Sequence, residues 1–376
     1  MNSFFSNIKL EGDRIIWGVL FALSLFSLLI VFSTAGWSYL FKHTIKLFIG
    51  LVLTYIIHKI KFKYFSKLGQ LAYFMSIFLL SLVFIIGVTI NGASRWLSIA
   101  GLQFQPSDIA KLAIILFLAR QLSRKRNSLN SLKNIIWYLV APLILISLLI
   151  LPNNFSTSAL VFLNGLALMF VAKIRIKYIL TIILSAFIFF LSIYSITKYT
   201  DIGSKIIPRS VTWVSRIDGF LFEKENDDQT KDYQQVQSLV AIQNGGIKGV
   251  GPGKSIQRSI LPYSSSDFIF SIIIEEYGLI GGVGIILAYL ILFFRATLIS
   301  FKVESLFGNL VTVGLIFSLI FQALINMLVT VEILPITGQT LPLISMGGTS
   351  IVFTCISIGI VLSISRDSTD RDYEKA

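Results

Sequence analysis

Acid-base chemistry within a membrane needs ionisable side chains, each costly to place there, and a framework that brings them together. Asp267 follows Leu261-Pro262-Tyr263-Ser264-Ser265-Ser266 and opens a long apolar run. A carboxylate there, at the mouth of a helix bundle, suits a general base. It equally suits a helix N-cap facing the orphan amides and the positive end of the dipole. Asp108 and Lys111 follow Gln105-Pro106-Ser107 and share a helix face at i,i+3 spacing. An ionisable pair within a membrane is costly, so this one is either a bundle-stabilising salt bridge or part of a polar cavity that handles substrate. Glu275 and Glu276 lie two turns into the same run as Asp267, where a buried acid needs a Lys, an Arg, a helix terminus or a substrate as partner. Arg95 beside Trp96 reads as a headgroup-level anchor or as a cation of the site.

The elements that must position these residues are membrane helices. The chain has 376 residues, of which 55% are hydrophobic and 14% charged, and its mean hydropathy is +0.81. Water cannot be the solvent for most of such a chain. Apolar runs near the ~20 residues that cross a ~30 Å hydrocarbon core recur along it. They predict an all-α integral membrane protein of about ten transmembrane helices, at about 15–35, 39–58, 69–90, 107–122, 133–151, 157–173, 177–199, 267–295, 305–329 and 343–364. The first run is expected to stay as an anchor, because it is too long for a signal-peptide core. The chain reads as one domain over 1–376, with no internal repeat.

Net charge is +13, and its location decides its meaning. The basic residues sit in alternate connections: Lys59, Lys61 and Lys63; Arg120 with Arg124-Lys125-Arg126; Lys173, Arg175 and Lys177; Arg295 with Lys302. The positive-inside rule puts these connections, and both termini, in the cytoplasm of an inner-membrane protein. Orientation accounts for the positive charge without nucleic acid as a partner. The single Cys355 excludes an intramolecular disulfide and a thiolate metal cluster.

Between the seventh and eighth runs lies an extracytoplasmic loop of about 65 residues, about 200–266, and long loops of this kind usually bind or catalyse. Within it, Glu223 to Asp228 is a solvated charge run and 230–244 reads as an amphipathic helix stopped by Gly245-Gly246. Gly249, Gly251, Pro252 and Gly253 make a turn compatible with phosphate. Residues 91–105 alternate polar and apolar and are expected in the outer interface. Prolines and glycines from Glu332 to Ser350 signal a re-entrant or broken helix, tolerated beside protein or a water-filled cavity.

Several motifs in order make the pattern specific. They are Gln105-Pro106-Ser107-Asp108 through Lys111, Arg216-Ile217, Tyr233-Gln234 with Gln237-Ser238, Gly245-Gly246 through Gly253, Asp267-Phe268-Ile269-Phe270 with Glu275-Glu276, and Leu334-Pro335 through Ser350. In these, and over essentially its whole length, the chain resembles the SEDS family (shape, elongation, division and sporulation), the peptidoglycan glycosyltransferases that include FtsW and RodA. The Ile-Ile-Glu-Glu-Tyr-Gly stretch leans toward the division type, FtsW, over the elongation type. The resemblance implies a ten-helix fold whose eighth helix and outer loop border a cavity open to the membrane. It implies lipid II as substrate and a class B penicillin-binding protein, with other division or elongation proteins, as partners.

The family's essential aspartate falls on Asp267, and its Glu-x-x-Lys pair falls on Asp108 and Lys111. The match departs in places: Ser265-Ser266 stand where the family has His-Thr, Tyr263-Ser264 replace Glu-Ala, and Pro152-Asn153-Asn154 replaces a Pro-Asp pattern. The implied reaction is attack by the acceptor's N-acetylglucosamine 4-hydroxyl on C1 of the donor's N-acetylmuramic acid, inverting it and expelling undecaprenyl diphosphate. Asp267 is the expected base. Lys111, Arg216 and Arg95 are candidates to bind the diphosphate, as is a divalent cation held partly by the substrate, and Asp108, Glu275 and Gln237 are further substrate-side candidates. Two rivals are a lipid II flippase, since intramembrane ionisable pairs also mark transport paths, and a non-catalytic divisome scaffold.

Overall fold

The structure is a computed structural model that describes residues 9–90, 93–99, 102–129, 131–200, 203, 205, 207, 209–221 and 229–375. The charge run expected at 223–228 lies outside the described residues.

The elements run α1 (Arg14–Ile57), α2 (Lys63–Ile86), β1 (Val88–Ile90), β2 (Ala93–Ile99), β3 (Leu102–Phe104) and α3 (Pro106–Arg124). There follow α4 (Leu132–Ile150), α5 (Phe155–Val171), α6 (Ile176–Tyr199), α7 (Ser210–Leu221), α8 (Gln229–Gly245), α9 (Gln257–Ile260), α10 (Ile269–Lys302), α11 (Leu306–Thr330) and α12 (Ser350–Lys375). Helix falls in each of the ten ranges read from the sequence, and seven of the described helices are long and apolar enough to cross a membrane. At ~1.5 Å per residue α1 is about twice as long as a bilayer core is thick, and it breaks at Gly36, where φ is 76°. That break falls in the connection expected between the ranges 15–35 and 39–58.

Local chemistry sets the helix ends. The Asp13 carboxylate caps α1 by accepting from the amides of Ile15 and Ile16, each at 3.0 Å. Pro106 occupies the first turn of α3, where its missing N–H costs nothing. Asn154 caps α5 by accepting from the Thr157 amide at 3.1 Å. Several expected boundaries move, two of them beside the site. Residues 88–90 leave the third range to form β1, and the last helix starts at Ser350 because 331–349 is irregular backbone, the broken segment its prolines and glycines forecast.

Helices α3 and α11 form the centre, each packing on the other and on α5, with α2 against α3, and α10 and α12 against α11. Lipid supplies no hydrophobic drive between helices, so close approach at small residues matters. A Cβ on Gly50 of α1 would lie 2.8 Å from Sγ of the buried Cys355 on α12. Helix α6 sits at the periphery on α5 and α7, with only Ile179 and Ile182 buried. At one end of the bundle the antiparallel β1-β2-β3 sheet, α7, α8 and the irregular segment 331–349 gather.

Candidate active site

Those elements enclose a cavity of about 540 Å³. The structure brings Asp267, Asp108, Lys111, Arg216 and Arg95 together on its walls. Gln237 and Glu275 are not among the lining residues.

Asp267 ends the turn 261–268 that leads into α10. This turn reverses at Tyr263, whose φ of 59° is left-handed, and whose carbonyl accepts from the amides of Ser266 at 2.9 Å and Phe268 at 3.3 Å. The capping alternative for Asp267 is not realised, because Phe268 is the N-cap of α10 and no side chain caps it. The irregular segment holds the turn instead. Asn326 Nδ2 donates to the Asp267 carbonyl at 2.7 Å and to the Gln339 carbonyl at 2.8 Å. Ser345 Oγ donates to the Ser266 carbonyl at 2.6 Å, and the Met346 amide to the Ser265 carbonyl at 2.8 Å. The carboxylate faces Gly338, where a Cβ would come 3.7 Å from Oδ2. Burial pushes the Asp267 carboxyl above its ordinary value, and Arg95, a hydrogen bond from Ser266 and Arg216 only partly offset this.

Three arginines line the cavity with that acid, and the charges of Arg95 and Arg216 act on it. Arg216 of α7 donates from Nη1 to the Ile336 carbonyl at 2.9 Å, and Arg209 donates from Nη1 to the Asn153 carbonyl at 2.9 Å. The Nε atoms of Arg95 and Arg216 are buried without a hydrogen-bond partner. Burial lowers the pKa of all three, and the charge of Arg209 lowers Arg95 and Arg216 further. Crowded cations with unused donors are suited to a multiply charged anion.

Asp108 and Lys111 form an ion pair of 3.0 Å, as the salt-bridge reading expects, and both side chains line the cavity. Thr349 Oγ1 donates to Asp108 at 3.0 Å, and Lys111 Nζ donates to Gln322 Oε1 at 3.3 Å. Gln322 is fixed in turn by donating from Nε2 to the Thr340 carbonyl at 2.9 Å.

The anchoring expected of Arg95 and Trp96 gives way to the cavity. Their alternating segment is strand β2, both side chains line the site, and a Cβ on Gly348 would press 2.6 Å from the Trp96 ring. Glu275 is a correction to the substrate-side candidates: it is wholly buried and accepts from Ser255 Oγ and from the amides of Ile256 and Gln257. Gln237 is another, since it is Gln234, three residues earlier on α8, that reaches the cavity. The Gly245 to Gly253 turn does not offer phosphate its amides. Those of Gly249, Val250 and Gly251 donate to the carbonyls of Gly245, Glu275 and Glu276, and the turn packs across the break that Gly278 makes in α10.

Sequence reasoning missed Arg209, hidden among the mixed charges of the long loop, and Gln322. The signal for Gln322 was present, since Gln322 and Asn326 are amides one turn apart inside an apolar run. Among the described residues no group of three or more His, Cys, Asp or Glu gathers to hold a metal ion. A divalent cation here would take most of its ligands from a substrate diphosphate.

The fold is that of a polytopic helical membrane protein whose site lies where irregular backbone interrupts the bundle, a position tolerated only beside protein or a polar cavity. A family model for FtsW, RodA and SpoVE, described as cell cycle protein, matches residues 12–370. The chain belongs to that family. It is 34% identical to a probable peptidoglycan glycosyltransferase FtsW of Buchnera aphidicola subsp. Baizongia pistaciae over 95% of this chain and 94% of that one. It is 31% identical to the stage V sporulation protein E of Bacillus subtilis, over 85% of each. Among solved structures it superposes with a TM-score of 0.77, at 25% identity, on a chain from work on polymerization and crosslinking by a peptidoglycan synthase complex, covering 96% of this chain and 99% of that one. Thermus thermophilus RodA matches with a TM-score of 0.67 at 24% identity, covering 95% of this chain and 97% of that one.

Proposed function

We propose that this chain, a peptidoglycan glycosyltransferase of the FtsW type, polymerises lipid II with Asp267 as general base and Arg95, Arg209 and Arg216 as the cradle of the leaving diphosphate. The observation that carries the reading is one shared cavity, in which the buried Asp267, its pKa raised, stands with three arginines, two of which keep a buried Nε donor unpartnered. A general base works best when its pKa lies nearer the working pH than that of a free carboxylic acid, and burial moves Asp267 in that direction.

In the step proposed, the acceptor's 4-hydroxyl gives its proton to Asp267 as its oxygen bonds to C1 of the donor sugar. The bond from C1 to the diphosphate oxygen breaks, and undecaprenyl diphosphate leaves with the electron pair. The departing group is already an anion of weak basicity, so it needs charge stabilisation more than a proton, and the arginines supply that. Lys111 and Asp108 hold the far wall through Gln322 and Thr349. Anchoring both lipid tails in one bilayer supplies much of the orientation.

The chain is read as a ten-span protein of the cytoplasmic membrane with both termini inside, working beside a class B penicillin-binding protein that supplies the transpeptidase. The test is glycan polymerisation from purified lipid II by the detergent-solubilised protein with that partner, wild type against Asp267→Ala. Polymer from the wild type, and a loss of about 10²- to 10⁴-fold in the folded variant, is the expected result. A variant that polymerises at the normal rate would remove Asp267 from the chemistry. Silence from both proteins would call for a lipid II flipping assay in liposomes.

A further inference from the structure

Glu275 lies outside the cavity, yet it grips the segment that carries Asp267. Its carboxylate accepts from Ser255 Oγ, from the Ile256 amide at 3.2 Å, and from the Gln257 amide at 3.3 and 3.4 Å to its two oxygens. These donors stand at the start of α9, and α9 is tied to the Asp267 turn. The Leu261 amide donates to the Gln257 carbonyl at 2.7 Å, the Ser264 amide to the Leu261 carbonyl at 3.3 Å, and Ser264 Oγ to the Arg258 carbonyl at 2.9 Å. Segment 255–268 is thus a short arch. Its far foot is pinned by Asn326, Ser345 and Met346, and its near foot rests on Glu275.

We propose that Glu275 is a positioning residue for Asp267: it fixes the near foot of the arch so that the Asp267 carboxylate stays within reach of the acceptor hydroxyl. This rests on Asp267 being the base. Holding a carboxylate in apolar surroundings is costly unless its acceptor sites are filled, and here several donors from one short segment fill them. Acceptors of this kind make stronger bonds than neutral ones, so the arch gains stiffness as well as attachment. Stiffness matters because a displacement of about 1 Å at a reacting group can cost about 10²-fold in rate.

The experiment measures kcat and KM for lipid II polymerisation, with the class B partner present, on monodisperse Glu275→Ala, Glu275→Gln, Ser255→Ala and Asp267→Ala proteins. Glu275→Ala is expected to lower kcat about 30- to 100-fold with KM changed less than about threefold. Glu275→Gln keeps one acceptor oxygen for the two amides and is expected within about fivefold of wild type; Ser255→Ala should lose about three- to tenfold in kcat. A full-rate Glu275→Ala, an effect confined to KM, or a glutamine variant as slow as the alanine one would each overturn the assignment. If Glu275→Ala does not fold, Ser255→Ala decides, and full kcat there overturns it. An active Asp267→Ala would instead sink the base reading itself, whereas an inactive one beside full-rate Glu275 and Ser255 variants sinks the positioning role alone.

Discussion

At the scale of single residues, the proposed role of Asp267 makes a prediction about pH. As the proposed base Asp267 would work ionised, and burial holds its pKa above the ordinary 3.8, so activity should fall with decreasing pH at a higher pH than for a free aspartate. Arg216 favours the ionised form; Arg216→Ala should move the acid limb of the kcat/KM profile upward, losing more activity at pH 6 than at pH 8, besides raising KM for lipid II. An unmoved limb would count against the pairing. The same shift has a consequence for stability. Folding disfavours the ionised carboxyl, so the contribution of Asp267 is fully present below its unfolded pKa and is lost as pH rises through the folded one. Asp267→Asn should therefore unfold at a temperature equal to or above that of wild type at pH 7 while losing polymerisation, measurable by thermal unfolding in detergent.

At the scale of elements, the meeting of α10 with the loop after α8 is the most constrained contact. Gly278 has φ 70°, and a Cβ there would stand 2.1 Å from the Ile247 carbonyl oxygen. Gly278→Ala must bear both a positive-φ, extended backbone that is essentially restricted to glycine, about 1–3 kcal/mol, and a backbone clash, and should give little monodisperse protein. Gly284→Ala on the same helix meets nothing within 4 Å and should express and unfold as wild type does. These elements also show where the sequence was readable. Hydropathy placed the helices, because lipid imposes length and polarity on each run independently, and the prolines around 335–342 gave away the broken segment. The alternation at 91–105 was visible, but which side of the strand meets the cavity depends on a sheet docked on Gly348, about two thirds of the chain away. The glycines of 245–253 resembled a phosphate loop because conformational freedom and close approach select the same residue. The roles of Glu275 and Gln234 needed the third dimension, since neighbours on one helix can face different partners.

At the scale of the whole molecule, the proposed orientation can be read with one thiol. Cys355 is buried against Gly50, and Thr54 donates to its carbonyl at 2.9 Å, so a Cys355→Ala background carries single reporters well. Ser38→Cys, at an exposed helical position just past the α1 break, should react with an impermeant maleimide on intact cells freed of any outer membrane. Lys61→Cys, between α1 and α2, should react only after lysis. The reverse pattern would invert the molecule. The membrane class and approximate spans were legible at this scale, but the way helices distant in sequence converge on one cavity was not, because hydropathy records depth in the bilayer and says nothing about neighbours.

The turn bearing Asp267 is closed by Ser345 and Met346, residues made almost eighty positions after it. During synthesis, a chain halted before that point would already hold its arginines and its acid but lack their seat. If Asp267 is the base, a chain stopped there should insert its earlier helices and still fail to polymerise. Truncated products that escape the ribosome would be silent in the wall they are meant to build.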